Sequence, residues 1–322
     1  MDKNGIAIAG TILVDIIKEI DAYPALSELT KINAVKNAIG GCVPNVGIDL
    51  KKMNPDMPVY ALGMLGDDAN GKYALDILEN AGLETQGMKK NGNVLTSYTD
   101  VMSIVGGQRT FFTYPGASNE FGYDDIDWDN LNSRMLHLGY FLLLDKIDAG
   151  DGLKILKEAK SRGISTSIDL VTEKSDRYGI VLPCLPYTDN LIINELEAGK
   201  LAGISPVREN LPKIAETLHN LGVRERVIIH MPDVAVCYHN GECITLPSYD
   251  LPSGYIKGSV GAGDAFCAGA LLGIYQGLSD TEILELAAAA AACSLSEADA
   301  TSGLCCVSSI YDRCKNFKRK AE

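Results

Sequence analysis

Six short apolar runs recur along the chain, each apolar on both faces and most too short to be a helix: "GIAIAGTILVD" (5–15), "VYALGML" (59–65), "MLHLGYFLL" (135–143), "ISTSIDL" (164–170), "NLIIN" (190–194) and "RVIIH" (226–230). Helix-like stretches at 68–81, 148–162 and 206–221 separate most of them. Strands buried on both faces that alternate with helices predict a mostly parallel sheet with helices on each side, an α/β fold of three layers, α/β/α. The first run reads as one buried strand with Asp15 at its end. No internal repeat or low-complexity linker interrupts residues 1–322, which read as one domain.

Two stretches depart from this alternation. Residues 16–39 and 94–115 read as short alternating strands joined by turns, with no helix directly after either. Paired with each other they would make a small separate β-sheet, serving as a lid over the main domain or as a surface for a homodimer. Ordinary edge hairpins fit the same pattern.

Charge narrows the partners. The formal net charge is −13, which disfavours nucleic acid and anionic membranes as partners of the surface as a whole. No apolar run approaches the roughly 20 residues of a membrane span, and the N-terminal stretch carries Asp2 and Asp15, unlike a signal peptide. A cytoplasmic protein is expected. The nine cysteines contain no CxxC and no histidine-rich partner spacing, so their spacing suggests neither a zinc site nor a disulfide framework. Adjacent Cys305 and Cys306 read as a redox pair or simply as two small residues near a strand. The basic end, Lys315, Lys318, Arg319 and Lys320, reads as a solvated tail. An acidic chain of this kind must bind a polyphosphate locally, through backbone N–H groups and a helix N-terminus.

"KGSVGAGDAFCAGALLGIYQG" (257–277) has the composition for such a site. Gly261, Ala262 and Gly263 expose consecutive N–H groups ahead of a helix rich in small residues, which makes an anion cradle. Asp264 then has two readings. It is a first-turn helix acid, stabilised by the macrodipole by about 0.3 to 1 kcal/mol, or a general base that takes a hydroxyl proton during phosphoryl transfer. No Lys-Ser or Lys-Thr follows the glycines as in a P-loop, and the first strand is not followed by GxGxxG.

"GAGDAFCAGALLG" resembles the C-terminal signature of the ribokinase family, the phosphofructokinase-B type carbohydrate kinases. "IGGCVPNVGIDLKKM" (39–53) resembles its N-terminal signature, and "NLIINELEAGKLAG" its Asn-x-x-Glu stretch at Asn194 and Glu197. The three occur in the family's order, and the lid-like interruptions fit from about residue 5 to 311.

The resemblance implies a ribokinase-like kinase with a β lid that moves the γ-phosphoryl group of ATP, with Mg2+, to a sugar hydroxyl. It implies Asp264 as base, and Gly261, Ala262 and Gly263 as the anion hole. Asp15, Gly40, Gly41 and Asn45 would bind the sugar, and Arg109 on a lid strand would reach a substrate anion or lie exposed. Asn194 and Glu197 would order phosphates and hold magnesium through water, or would form only a helix-capping box. Asp169 matches a strand-end acid near the phosphates. Two departures stand out. Gly258, Ser259 and Val260 replace a segment that carries an acid in potassium-activated members, which leaves K+ dependence open, and "HMPDVAV" from His230 replaces a glycine-rich turn near the nucleotide phosphates. A nucleoside kinase of the same fold, with stacking from Phe112, Tyr114 or Phe121, and a non-catalytic sugar- or nucleotide-binding module are the alternatives.

Overall fold

The computed structural model describes residues 3–104 and 107–321. Asp2, and Val105 and Gly106 within the second lid stretch, lie outside the described residues, as do Met1 and Glu322.

In chain order the elements are β1 (Ile6–Ala9), β2 (Leu13–Ile20), β3 (Ile32–Gly40), α1 (Cys42–Met53), β4 (Val59–Gly66), α2 (Ala69–Asn80), β5 (Met88–Asn91), β6 (Tyr98–Ile104) and β7 (Arg109–Tyr114). There follow β8 (Met135–Phe141), α3 (Gly152–Ser161), β9 (Ser165–Leu170), β10 (Asn190–Asn194), α4 (Glu195–Ala202), α5 (Leu211–Asn220), β11 (Arg226–His230), β12 (Val234–His239) and β13 (Glu242–Pro247). The last are β14 (Tyr249–Asp250), α6 (Ala262–Gln276), α7 (Asp280–Ser294), α8 (Val307–Cys314) and β15 (Lys318–Arg319).

Nine strands form the main sheet in the order β13-β12-β11-β10-β9-β8-β1-β4-β5. Pairing is parallel from β11 to β5, and the β12–β13 hairpin adds antiparallel strands at one edge. One face packs α1, α6 and α7 through residues such as Val46, Leu271 and Leu286; the other packs α3, α4 and α5 through Ile155, Ala198 and Ile214. Side chains alternate across a strand, so Ile6 and Ile8 enter the first core while Ala7 and Ala9 enter the second. This two-sided burial is why the strands read as continuous apolar runs.

The lid is a separate four-stranded sheet in the order β3-β2-β6-β7. Its strands occupy the two departing stretches, with one correction. "GIAIAGTILVD" is two strands, because the chain leaves the main sheet after Ala9 and enters the lid at Leu13. The crossing is pinned where Ser118 Oγ donates to Ile12 O at 2.9 Å and accepts from Ile12 N–H at 3.1 Å. Asp15 therefore lies within the first lid strand rather than at the end of the first core strand. A second correction concerns the basic end, which is docked rather than loose. Lys318 and Arg319 pair with β14, Arg319 lies 3.7 Å from the Tyr249 ring centroid, and the Lys320 ammonium bonds Asp233 at 2.5 Å.

Candidate active site

The parallel strands end together on one side of the sheet, and α6 begins there. Gly261 takes φ 78°, a left-handed turn that an L side chain adopts only at a cost, and a Cβ there would come within 2.5 Å of Ala300. That turn starts the helix at Ala262 and leaves its first-turn N–H groups outside the intrahelical ladder. Ala262 N–H bends back to Ser259 O at 3.3 Å, so Gly263 and Asp264 are the two positions that present N–H groups outward.

Asp264 is 8% exposed and is met from two other elements. Asn45 Nδ2, on α1, donates to its Oδ2 at 2.9 Å, and the Tyr140 hydroxyl stands 3.0 Å from both carboxylate oxygens. Burial, and next the negative charge of Asp169, push its carboxyl up to about 7, while the bonds from Asn45 and Tyr140 pull it down. Asn45 uses only its amide nitrogen, and its buried Oδ1 has no partner among the described residues. That oxygen is an open acceptor beside the carboxylate.

Asp15 lies on β2, and Gly40, at the end of β3, packs so closely against it that a Cβ would lie 3.0 Å from Asp15 Oδ2. Burial raises the Asp15 carboxyl to about 6. Gly41 caps α1, the helix that carries Asn45. Contacts therefore run from Asp15 to Gly40 at the end of the lid, through Gly41 into α1, and from Asn45 to Asp264 on α6. Arg109 lies further along the lid: its backbone pairs with Ser103, four residues along β6 from the Thr99 that pairs with Asp15, or about 13 Å. It is exposed on the lid.

On the other flank of Asp264 a pocket of about 310 Å³ is lined by Tyr140, Asp169, Asn194, Glu197, His230, Gly263 and Cys267, among others. Asn194 and Glu197 do form the capping box of α4: Asn194 Oδ1 accepts from Glu197 N–H at 2.9 Å, and Glu197 Oε2 from Asn194 N–H at 3.1 Å. Burial lifts the Glu197 carboxyl to about 8, against bonds such as that from Thr172 Oγ1 at 2.7 Å. Capping fixes both side chains at the pocket wall, so it and ligand binding are compatible here.

A second pocket of about 650 Å³ opens from the same wall, sharing Asn194, His230 and Gly263 and adding mostly apolar residues such as Pro232, Leu251, Phe266 and Ala292. The 230–235 segment between them is a tight hairpin turn in which Met231 N–H donates to Val234 O at 2.9 Å. His230 stacks on Phe266 with ring centroids 4.7 Å apart, and burial lowers its imidazole to about 4, so a neutral ring faces Gly263. Phe121 is wholly buried in the core and cannot stack on a ligand.

Tyr140 was not found from sequence. It has φ 62° at the end of β8, a conformation rare outside glycine, followed by Leu142 at φ 77°. Its hydroxyl lies against Asp264.

A titratable carboxylate at the head of a helix whose free N–H groups face a pocket, with hydroxyl acceptors on its other side, suits phosphoryl transfer to an alcohol. On a doubly covered parallel sheet with a β lid, it defines a small-molecule kinase of the α/β/α class. Comparison with known proteins gives the family. The model of the "pfkB family carbohydrate kinase" matches residues 4–305, and the chain belongs to that family. The chain is 26% identical to a ribokinase of Arabidopsis thaliana over 289 residues, 89% of this chain and 74% of that one. It is also 26% identical to the adenosine kinase of Saccharomyces cerevisiae, over 83% of this chain and 80% of that one. Among solved structures, Arabidopsis thaliana ribokinase complexed with ribose and ATP superposes with a TM-score of 0.83 at 24% identity, covering 97% of this chain and 98% of that one. Ribokinase from Thermotoga maritima superposes with a TM-score of 0.81 at 22% identity, covering 97% and 100%. Among the described residues no helix is long and apolar enough to cross a membrane.

Proposed function

We propose that the chain is one kinase unit that transfers the γ-phosphoryl group of MgATP to a hydroxyl of a sugar. The observation that carries this reading is Asp264, a buried carboxylate raised to about 7, held by Asn45 and set against the first turn of α6. A base with that value is half ionised at neutral pH, which balances availability against strength.

The acceptor lies between Asp15 and Asn45, where a carboxylate and an unpaired amide oxygen receive hydroxyl protons while Gly40 and Gly41 admit the sugar to the backbone. Asp264 takes the proton from the attacking hydroxyl. The N–H groups of Gly263 and Asp264, with the turn at Gly261 and Ala262, stabilise charge on the transferring group. The larger, mostly apolar pocket suits a nucleoside, and the shared wall at His230 and Gly263 then carries the phosphates from one pocket to the other. Glu197, Asn194 and Asp169 line the acidic side, a donor set suited to a magnesium that keeps most of its waters. Bound there, magnesium supplies charge neutralisation on the phosphates. The exposed apolar residues of the lid, Phe111, Phe112 and Val35, support a homodimer through that sheet.

A nucleoside acceptor is the second reading, favoured by the similarity to yeast adenosine kinase. Release of ADP, followed in a coupled assay over a panel of pentoses, hexoses, keto acids and nucleosides, decides between them. Turnover with a sugar supports the first reading, turnover with nucleosides alone the second, and none with any acceptor defeats both.

A further inference from the structure

Behind Asp264, side chains from three separate elements converge on one buried point. Cys42 opens α1, His137 lies in β8 and Asp169 ends β9, and one donor atom from each lies within 4.8 Å of the others, all three residues being buried. His137 Nε2 is 3.4 Å from Asp169 Oδ2, and 3.7 Å from Cys267 Sγ, a length ordinary for a hydrogen bond to sulfur. Its other nitrogen, Nδ1, is engaged by Ser167 Oγ at 2.9 Å. With its proton on Nδ1, the ring turns a lone pair on Nε2 toward the carboxylate and the thiols.

We infer that Cys42 Sγ, His137 Nε2 and Asp169 Oδ2 form a binding site for Zn(II), with Cys267 beside its fourth position. In a tetrahedral zinc site, bonds of about 2.0 Å to nitrogen and oxygen and about 2.3 Å to sulfur put neighbouring donors about 3.3 to 3.6 Å apart. The 3.4 Å between Nε2 and Asp169 Oδ2 is of that size, and the Cys42 sulfur lies within 4.8 Å of both donors. The charges also balance: a thiolate, a carboxylate and a neutral imidazole around a divalent ion leave no net charge in a buried place. The mixed sulfur, nitrogen and oxygen set suits zinc better than magnesium or calcium. Gly139 makes the room, since a Cβ there would fall 1.9 Å from Cys42 Sγ and 3.2 Å from Asp169 Oδ1. Entry is through the smaller pocket, whose wall includes Asp169 and Cys267. The hydrogen bond from Nδ1 to Ser167 is the outer contact that fixes the imidazole for such a role. Zinc replaces the Cys42 thiol proton, which leaves to solvent, and no electron is transferred.

The site shares Asp169 with the proposed phosphate pocket but is read from its own donor set, and its test needs no turnover. Chelator-treated full-length protein is titrated with Zn(II) while its melting temperature is followed, and with Co(II) while its absorption spectrum is recorded. The expected result is one equivalent of Zn(II) with a raised melting temperature, and a Co(II) spectrum with intense tetrahedral bands and a thiolate charge-transfer band. Cys42→Ser should remove that band and weaken Zn(II) binding at least about tenfold, and Ser167→Ala, which removes no ligand, should weaken it about 10- to 100-fold. Absence of stoichiometric Zn(II) in the wild type, a Co(II) spectrum without the thiolate band, or equal Zn(II) affinity in the folded Cys42→Ser protein would overturn the inference.

Discussion

Tyr140 Oη lies 3.0 Å from each carboxylate oxygen of Asp264, although 124 residues separate the two in sequence. The contact has a direction. A hydroxyl that donates to a carboxylate favours its ionised form, and so Tyr140 holds the Asp264 carboxyl lower than burial and Asp169 alone would leave it. If Asp264 is the base, activity falls on the acid side as it is protonated, with a limb near pH 7. Tyr140→Phe should move that limb to higher pH while leaving the alkaline rate within a few-fold. A kcat/KM profile for each protein makes the comparison, and an unmoved limb would mean that Tyr140 does not tune the base.

Asp264 itself separates a base from a helix acid. Asparagine keeps an oxygen to accept from Asn45 and avoids an ionised group in a buried place, so Asp264→Asn should fold at least as stably as the wild type at neutral pH. As a base it should lose roughly 10² to 10⁴ in kcat, the usual worth of a positioned proton acceptor. Thermal melting, nucleotide affinity and turnover are measured on the same preparation. Turnover within a few-fold of wild type would remove Asp264 from the mechanism.

Much of this arrangement could be read from the sequence, and the parts that could not share a cause. The core strands announce themselves because both faces are apolar, and the two lid stretches because their alternation is not followed by helices. The glycines around Asp264 and before Asn45 mark turns that only particular residues allow. Tyr140, Cys42 and His137 carried no such mark. Each lies in a segment whose composition is explained by strand or helix packing, and they meet only because β8, β9 and α1 are neighbours in the fold. The cysteine spacing could not suggest a metal site for the same reason, since its donors come from elements 95 and 32 residues apart in turn along the chain. Arg109 differs: its strand reads correctly from the sequence, but the register of β6 and β7, which sets its backbone about 13 Å along the lid from that of Asp15, does not.

Asp15 gives a prediction for the acceptor side. It is partly buried, and burial raises its carboxyl to about 6. A sugar hydroxyl that donates to the ionised form should bind less well as pH falls through that value. Asp15→Ala leaves the hydroxyl unpaired and should cost about 1 to 3 kcal/mol of sugar binding. Calorimetric titration at pH 8 and pH 5 tests both statements. Equal affinity in the variant, or no pH dependence in the wild type, would take Asp15 out of the contact.

Gly258 bears on monovalent ions. It offers no carboxylate to a cation, and a Cβ at this position would lie 3.0 Å from the Ala298 backbone and 3.1 Å from Glu297 O, so that the loop would have to give slightly to admit one. Turnover should therefore respond weakly to potassium. Rates in potassium chloride and in matched tetramethylammonium chloride provide the check, and strong saturable activation by potassium would contradict it.

Asp49 offers the test of stability. It sits one turn after Asn45 on α1, is 0% exposed, and has no hydrogen-bond partner among the described residues on either carboxylate oxygen. Burial, and next the charge of Asp264, push its carboxyl well above the ordinary 3.8, with Lys52 opposing. The native state therefore holds a proton that the unfolded chain releases above about pH 4. Stability from this group is present in full below that value and is lost as pH rises toward the folded pKa, by at most about 1.4 kcal/mol per pH unit. Asp49→Asn removes this titration and keeps the shape. Asp15, Asp264 and Glu197 titrate in the same direction, so the difference between the two proteins isolates Asp49. Denaturant unfolding at pH 5 and pH 8 should show the variant gaining on the wild type as pH rises. Parallel losses in the two proteins would mean that Asp49 finds a partner in solution and is not the neutral buried acid described here.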